Sequence, residues 1–332
     1  MKILRSDELD EAIFAIKNND LVIFPTETVY GLGANALSTD AVDKIFKAKG
    51  RPSNNPLIVH LAKKEDIEKY AIISNSIEQK LIDSFMPGPF TLILKKKLNI
   101  PLNVTCGLDT VGIRIPESKI AREFINKCNL PIAAPSANLS TKPSGTNVSD
   151  IFLEFEESVL YIIDGGSAKV GLESTVVKVI EDIPTILRPG YITKEDIELV
   201  CGKCNVIKEV LEKANNNHVE SPGLLYKHYA PNCKCLLVYS DNIDKLKELI
   251  NQNKTSKTLL IGSNNISNID CFKYLNYGNS YDEIARNIFH LLREADTYNP
   301  DLIIIEGVKK EGLGLAIMNR LLRTCSFNYQ EK

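Results

Sequence analysis

Two cations straddle a glycine near the front of this chain. Lys49-Gly50-Arg51 sits inside KAKGRPSNNPLIVH, residues 47–60. Lys44 and Lys47 lie three apart beside an apolar helical face of Val42, Ile45 and Phe46, and lysines so placed commonly point into water. Arg51 differs. The proline behind it holds its backbone extended, and a guanidinium fixed that way can meet a phosphate with two parallel hydrogen bonds. Arg114 stands in VGIRIP, sharing a strand face with Gly112 and opposing Val111, Ile113 and Ile115. Turned inward it needs an anion, for which a ligand carboxylate is suited. On an edge strand it would sit in water instead. Ser136 and Asn138 end PIAAPSAN, where a strand enters a loop of small residues. Such strand ends offer backbone N–H groups to ligands in α/β proteins, although Ser-Ala-Asn alone is an ordinary turn. Glu173-Ser174-Thr175 in GLESTVV, Arg188 in LRPG and the aromatic-basic YKHYAP (226–231) complete the candidates.

Other chemistries lack their residues. There is no GxSxG or HExxH, and no Cys pairs convincingly with one of the four His. GLGLA (312–316) resembles part of a dinucleotide fingerprint, but it follows EGVKKE rather than ending a strand tightly. Cys201, Cys204, Cys233 and Cys235 are four thiols with zinc chemistry in reach. The second pair is too tight for a repeated CxxC, so reduced structural thiols are the expectation.

The elements that must position these groups read as two bodies. The chain has 332 residues, 44% hydrophobic and 25% charged, enough for two cores. Its net charge of −2 provides no global field toward nucleic acid or membrane, so an anion site must be local. Acids in MKILRSDELDEAIF replace a signal peptide's apolar core, and no run approaches the ~20 apolar residues of a spanning helix. A soluble cytoplasmic protein is expected.

Residues 7–17, 67–85 and 118–128 read as helices, as does AVDKIFKAK with Asp40 as N-cap and Gly50 as its stop. LVIF (21–24), PLIVHL (56–61), FTLILKK, VGIRIP and YIIDGG read as strands, and 174–180 with 185–190 as a hairpin. Residues 203–234 form a polar linker. From 235 strand and helix alternate strictly, which argues a small parallel α/β domain.

Taken in order, PTETVYGLGANA, KGRP with NPLIVH, PGPFTLIL, LDTVGIRIP, PIAAPSANLSTKPSGT, DGG, GLESTVV, LRPG and YKHYAP resemble the YrdC-type threonylcarbamoyl-AMP synthases in their longer, two-domain form. The family's KxR…SxN signature is matched by Lys49-Gly50-Arg51 and Ser136-Ala137-Asn138. The resemblance implies an α/β (α+β) fold. A YrdC-like twisted mixed sheet with a concave cavity would span 1–202, a linker and active-site lid 203–234, and a Rossmann-like accessory domain 235–332. It implies that L-threonine, bicarbonate or CO2, and ATP become threonylcarbamoyl-AMP and pyrophosphate. A downstream tRNA threonylcarbamoyltransferase complex would use the product on the adenosine 3′ of the anticodon.

By the same resemblance Lys49 and Arg51 are catalytic. Arg51, Asn55, Thr110, Ser136, Asn138, Ser144, Arg188 and Tyr226 meet ATP, with Tyr229 second to Tyr226. Thr28, His60, Arg114, Ala134 and Ser174 meet threonine. Mg²⁺ would arrive with ATP, held mostly by water and phosphate. The rival readings are a double-stranded RNA or tRNA binding module without catalysis, against which the net charge argues, and a carbamoyl-transfer relative of hydrogenase maturation. The latter's acylphosphatase-like and zinc-finger segments are missing from this sequence.

Overall fold

The computed structural model describes residues 1–50, 55–212 and 229–332. Arg51 and Tyr226 lie outside the described residues, as do residues 213–228 of the expected lid. The described residues form two compact units, one of 1–140 with 144–210, the other of 141–143, 211–212 and 229–332.

The first unit is built on a twelve-stranded sheet. Its strands are Lys2–Leu4 (β1), Val22–Phe24 (β2), Gly31–Asn35 (β3), Ile58–His60 (β4), Ala71–Ile72 (β5), Phe90–Lys96 (β6), Thr110–Arg114 (β7), Ile132–Ala133 (β8), Tyr161–Ile163 (β9), Thr175–Ile180 (β10), Ile183–Arg188 (β11) and Asn205–Val206 (β12). They run in the order β1-β9-β2-β3-β8-β4-β7-β6-β10-β11-β12, with β5 against β6. Pairing is mixed: β4 is parallel to β7 and β6 to β10, while β6 is antiparallel to β7 and β3 to β8.

Successive strand residues face opposite sides of a sheet, and here the two sides are filled differently. On one, Ile23, Val59, Leu92, Leu94, Val111, Ile113 and Val177 join Val42, Ile45 and Phe46 in the main core. On the other, Phe24, Ile132 and Ala134 are covered by the helices Asp10–Lys17 and Lys119–Cys128. Farther along that same side, Ile93, Val176 and Leu187 make a small separate cluster. The strip between these two clusters carries His60, Arg114 and Thr91. All three are buried and none is apolar.

Several elements depart from the sequence reading. The helix Thr39–Lys49 is capped by Ser38, whose Oγ accepts from the Ala41 N–H at 3.3 Å, so Asp40 is not the cap but lies in the first turn. There its charge complements the helix dipole. Gly50 stops the helix with φ 59°, as expected. The expected helix over 67–85 is broken. Ile67–Tyr70 ends it, Ala71–Ile72 pairs with Lys95–Lys96, and Asn75 caps a new helix at Ser76–Phe85. Helices Val148–Phe155 and Lys194–Cys201 fall where no element was assigned. β12 pairs with β11, so the first sheet continues into the segment read as linker.

The second unit is a parallel sheet of Lys234–Tyr239 (β13), Thr258–Gly262 (β14), Lys273–Asn276 (β15), Leu302–Glu306 (β16) and Tyr329–Glu331 (β17). The order is β15-β14-β16-β13-β17. Helices Ile243–Asn253, Tyr281–Thr297 and Leu313–Thr324 connect the strands, making the doubly covered parallel layer that strand–helix alternation predicts. Among the described residues no helix is long and apolar enough to cross a membrane.

Candidate active site

The polar strip follows from register. β4 and β7 run parallel with His60 beside Arg114, so both strands deliver their last residue to one edge of the sheet. β6 opposes β7 and starts at that edge, and β10 starts beside it with Thr175 against Phe90. Ser174 thereby meets Thr91, their hydroxyls 2.7 Å apart. β2 runs opposite to β4, and the ring of its last residue, Phe24, stands edge-on to His60 at 5.9 Å between centroids. Its continuation, Pro25-Thr26-Glu27-Thr28, is pinned by Val170 N–H on the Glu27 carbonyl at 2.8 Å and Gly171 N–H on the Thr28 carbonyl at 3.0 Å. The residues expected around threonine, namely Thr28, His60, Arg114, Ala134 and Ser174, are all buried here.

Arg114 points inward and is not an exposed edge residue. Its Nη2 lies 2.8 Å from Glu27 Oε1, with the side chains 5% and 2% exposed. The Thr26 hydroxyl is 3.5 Å away. His60 is enclosed beside it. Burial first, and the Arg114 charge second, push the imidazole down to about 3, so the ring is neutral. Its Nδ1 faces the Ile58 carbonyl at 3.3 Å.

The Ser136-Ala137-Asn138 loop is stitched to the loop after β2. Leu32 N–H donates to the Pro135 carbonyl at 2.9 Å and Ala137 N–H to the Tyr30 carbonyl at 2.7 Å. Lys49 reaches this loop from its helix end, 3% exposed. Its Nζ donates to the Ser136 carbonyl at 2.7 Å, to the Asn138 carbonyl, and at 3.5 Å to Asn138 Oδ1. The ammonium therefore clamps the loop. Ser136 Oγ donates to Asn138 Oδ1 at 2.6 Å, which sets the orientation of both expected ATP contacts.

Arg188, at the end of β11, donates from Nε and Nη2 to the Ser174 carbonyl at 3.1 and 2.9 Å, and from Nη2 to Ser174 Oγ at 3.1 Å. It thus joins the expected nucleotide set to the expected threonine set. Gly190 allows this. A Cβ there would stand 2.4 Å from Thr175 N and 2.7 Å from the Glu173 carbonyl oxygen. Ser144 donates to Glu173 Oε1 at 2.6 Å. Asn55 is buried, and Thr110 lies at the far end of β7 from Arg114 on the same face. Sequence reasoning missed Glu27, Thr26 and Thr91, and gave Glu173 no role. The available signal was an acid between two threonines in a loop that leaves an apolar strand.

Glu173 with Ser144 offers oxygen donors, the type Mg²⁺ prefers. Among the described residues, no group of three or more His, Cys, Asp or Glu is placed to hold a metal. None of the eight cysteines is in a disulfide, and burial pushes the Cys204 and Cys233 thiols up to about 12, which keeps them protonated.

In the second unit, β14 and β16 are adjacent but their connections leave in opposite directions, the usual place for a ligand crevice in such sheets. Glu306 occupies it, accepting from Ser263 N–H at 2.6 Å and Ser263 Oγ at 3.2 Å. Tyr229 packs on Phe289 in this unit, ring centroids 4.8 Å apart.

Comparison with known proteins gives consistent matches along the whole chain. The Sua5/YciO/YrdC family model, described as "Telomere recombination", matches residues 14–190. A model described as "Threonylcarbamoyl-AMP synthase, C-terminal domain" matches 192–326. The chain is 44% identical over 317 residues to the threonylcarbamoyl-AMP synthase of Pyrococcus abyssi, covering 94% of this chain and 92% of that one. To the Bacillus subtilis protein of the same name it is 40% identical over 322 residues, 95% and 92% of the two chains. The structure of P. abyssi Sua5 complexed with L-threonine matches with a TM-score of 0.94 at 40% identity, over 100% of both chains.

Proposed function

Because the chain belongs to the Sua5/YciO/YrdC family of threonylcarbamoyl-AMP synthases, we propose that it makes L-threonylcarbamoyladenylate and diphosphate from L-threonine, bicarbonate or CO2, and ATP. The observation that carries this reading is the polar strip at one sheet edge. A buried cation, Arg114, and a neutral imidazole, His60, stand beside Thr28 and Ser174 and connect through Arg188 to the nucleotide positions.

The chemistry needs no protein nucleophile. The threonine amine gives a carbamate, whose oxygen attacks the α-phosphorus as pyrophosphate leaves. Catalysis is then positioning and stabilisation of charge on phosphate oxygens. Arg114 takes the amino-acid carboxylate. His60, kept neutral by burial, is a hydrogen-bond partner for the amino acid. Arg51 meets the phosphates, with Asn55, Thr110, Ser136, Ser144, Arg188 and Tyr226 around the nucleotide. Asn138 and Lys49 hold the loop that presents Ser136. Mg²⁺ bound with ATP would neutralise phosphate charge. The domain limits proposed are 1–202 for catalysis, 203–234 for a lid that excludes water from a hydrolysable product, and 235–332 for the accessory domain. The product would serve tRNA modification in the cytoplasm by a separate transferase complex.

The test is pyrophosphate release from ATP and bicarbonate with and without L-threonine, in wild type, Arg51→Ala and Arg114→Ala. Threonine-dependent release that collapses in both variants supports the reading. Release indifferent to threonine overturns it, and tRNA binding by the same protein would then favour the binding module.

A further inference from the structure

Glu27 has no part in the reaction as set out above, yet it lies inside the site. Its carboxylate is 2.8 Å from Arg114 Nη2, and among the described residues neither of its oxygens receives a well-directed hydrogen bond. Arg114 Nε has no hydrogen-bond partner either. A buried ion pair ordinarily saturates its spare lone pairs and protons, because the desolvation of both charges must be offset. Here the pair leaves two acceptor oxygens and one donor unused.

Among the described residues the guanidinium has one further hydrogen-bond partner, and it is distant. The Thr26 hydroxyl, 3.5 Å from Nη2, already donates to the Val29 carbonyl at 2.6 Å and meets the Thr28 hydroxyl at 2.8 Å. His60 faces Arg114 and adds no opposing charge, since its ring is neutral. The aim of Arg114 therefore depends on Glu27. Glu27 in turn is delivered by a loop whose Glu27 and Thr28 carbonyls are held by the Val170 and Gly171 N–H groups.

We propose that Glu27 is a positioning and specificity residue for the amino-acid substrate. It aims Arg114 with one end of the fork and leaves the Nε side for the incoming carboxylate. This rests on the reading of Arg114 as the carboxylate's partner. Glu27 also offsets the charge of Arg114 before substrate arrives. A simple carboxylate then meets the guanidinium and the Glu27 charge together and gains little. A zwitterion carries an ammonium as well, and is not penalised by the acid. Glu27 thus favours an amino acid over the same molecule lacking its amine.

Equilibrium binding of L-threonine and of 3-hydroxybutanoate, which is threonine without the ammonium, tests this on the full chain. In Glu27→Gln the preference for threonine over 3-hydroxybutanoate falls about tenfold or more. With ATP and bicarbonate added, kcat at saturating threonine stays within about threefold and KM for ATP does not move. In an Arg114→Met background, Glu27→Gln changes threonine affinity by less than about twofold, because it acts through the arginine. Glu27→Asp keeps the charge but withdraws it by one methylene. Threonine affinity drops about tenfold there while the preference over 3-hydroxybutanoate persists, and this variant carries the test if Glu27→Gln does not fold. An unchanged preference in Glu27→Gln, or unchanged threonine affinity in Glu27→Asp, overturns the proposal. If Arg114→Met itself leaves threonine binding intact, the reading of Arg114 fails instead.

Discussion

Replacing Lys49 by Met separates two roles that a lysine in a KxR motif can play. Met keeps the length and apolar volume of the stem and removes the ammonium. In the structure that ammonium is spent on the Ser136 and Asn138 carbonyls, with Asn138 Oδ1 farther off. Hydrogen bonds from a charged donor contribute about 1.5–3 kcal/mol each, and a buried carbonyl left unpaired costs about 1–3 kcal/mol. Against these stands the cost of burying the charge, which Met removes. With two close bonds lost, we expect Lys49→Met to destabilise the first unit by roughly 2–4 kcal/mol. For a unit of about 200 residues this lowers the thermal midpoint by roughly 5–12 °C. The assay is urea and thermal denaturation alongside threonine-dependent pyrophosphate release. Turnover should fall with stability, because the loop carrying Ser136 loosens. A variant with wild-type stability and no turnover refutes this reasoning. The ammonium would then serve phosphate, as the motif alone implies.

The depressed value of His60 predicts an acid-labile fold. The unfolded chain takes a proton below about 6.5 and the folded ring only near 3. Stability is therefore complete above about 6.5 and falls toward pH 3 by up to about 1.4 kcal/mol per unit. A His60→Gln variant should lose close to one proton from that slope, and an unchanged slope counts against the enclosed neutral ring. Gly190→Ala would push a methyl into the Glu173–Thr175 backbone, costing about 1–3 kcal/mol and raising KM for threonine through Ser174; an unaltered KM refutes the second half. In the second unit, Glu306→Ala leaves the Ser263 N–H without its acceptor, so denaturation should show a loss of about 1–3 kcal/mol.

Much of this was legible because chemistry and periodicity coincided. VGIRIP placed Val111 and Ile113 in the core and Arg114 on the opposite face by alternation alone. The second unit's alternation of apolar runs and amphipathic stretches gave its three helices and three inner strands. β15 and β17 were missed because both are short edge strands of polar residues, KYLN and YQE, with no period to see. The helix over 67–85 misread a continuous apolar period that Ala71–Ile72 interrupts to pair with β6. Lys49 looked like a surface or phosphate cation because nothing local reveals that Ser136 and Asn138 return to it. Glu27 was invisible for the same reason, as Arg114, its ion-pair partner, lies on a strand far along the chain.

The residues of the polar strip come from places far apart along the chain, and this bears on how the protein is made. Glu27 meets Arg114 across four intervening strands of sequence, β3 to β6, and Thr91 meets Ser174 at a separation of 83 residues. Parallel pairs such as β6 with β10 cannot close until the later strand has been synthesised. Such distant pairing is slow, since loop closure must precede the contacts that reward it. A nascent chain that has reached Arg114 carries Glu27, His60 and the cation but no Ser174 or Arg188. Until β10 docks, buried charge stands at an open sheet edge, and the site is completed only as the sheet is.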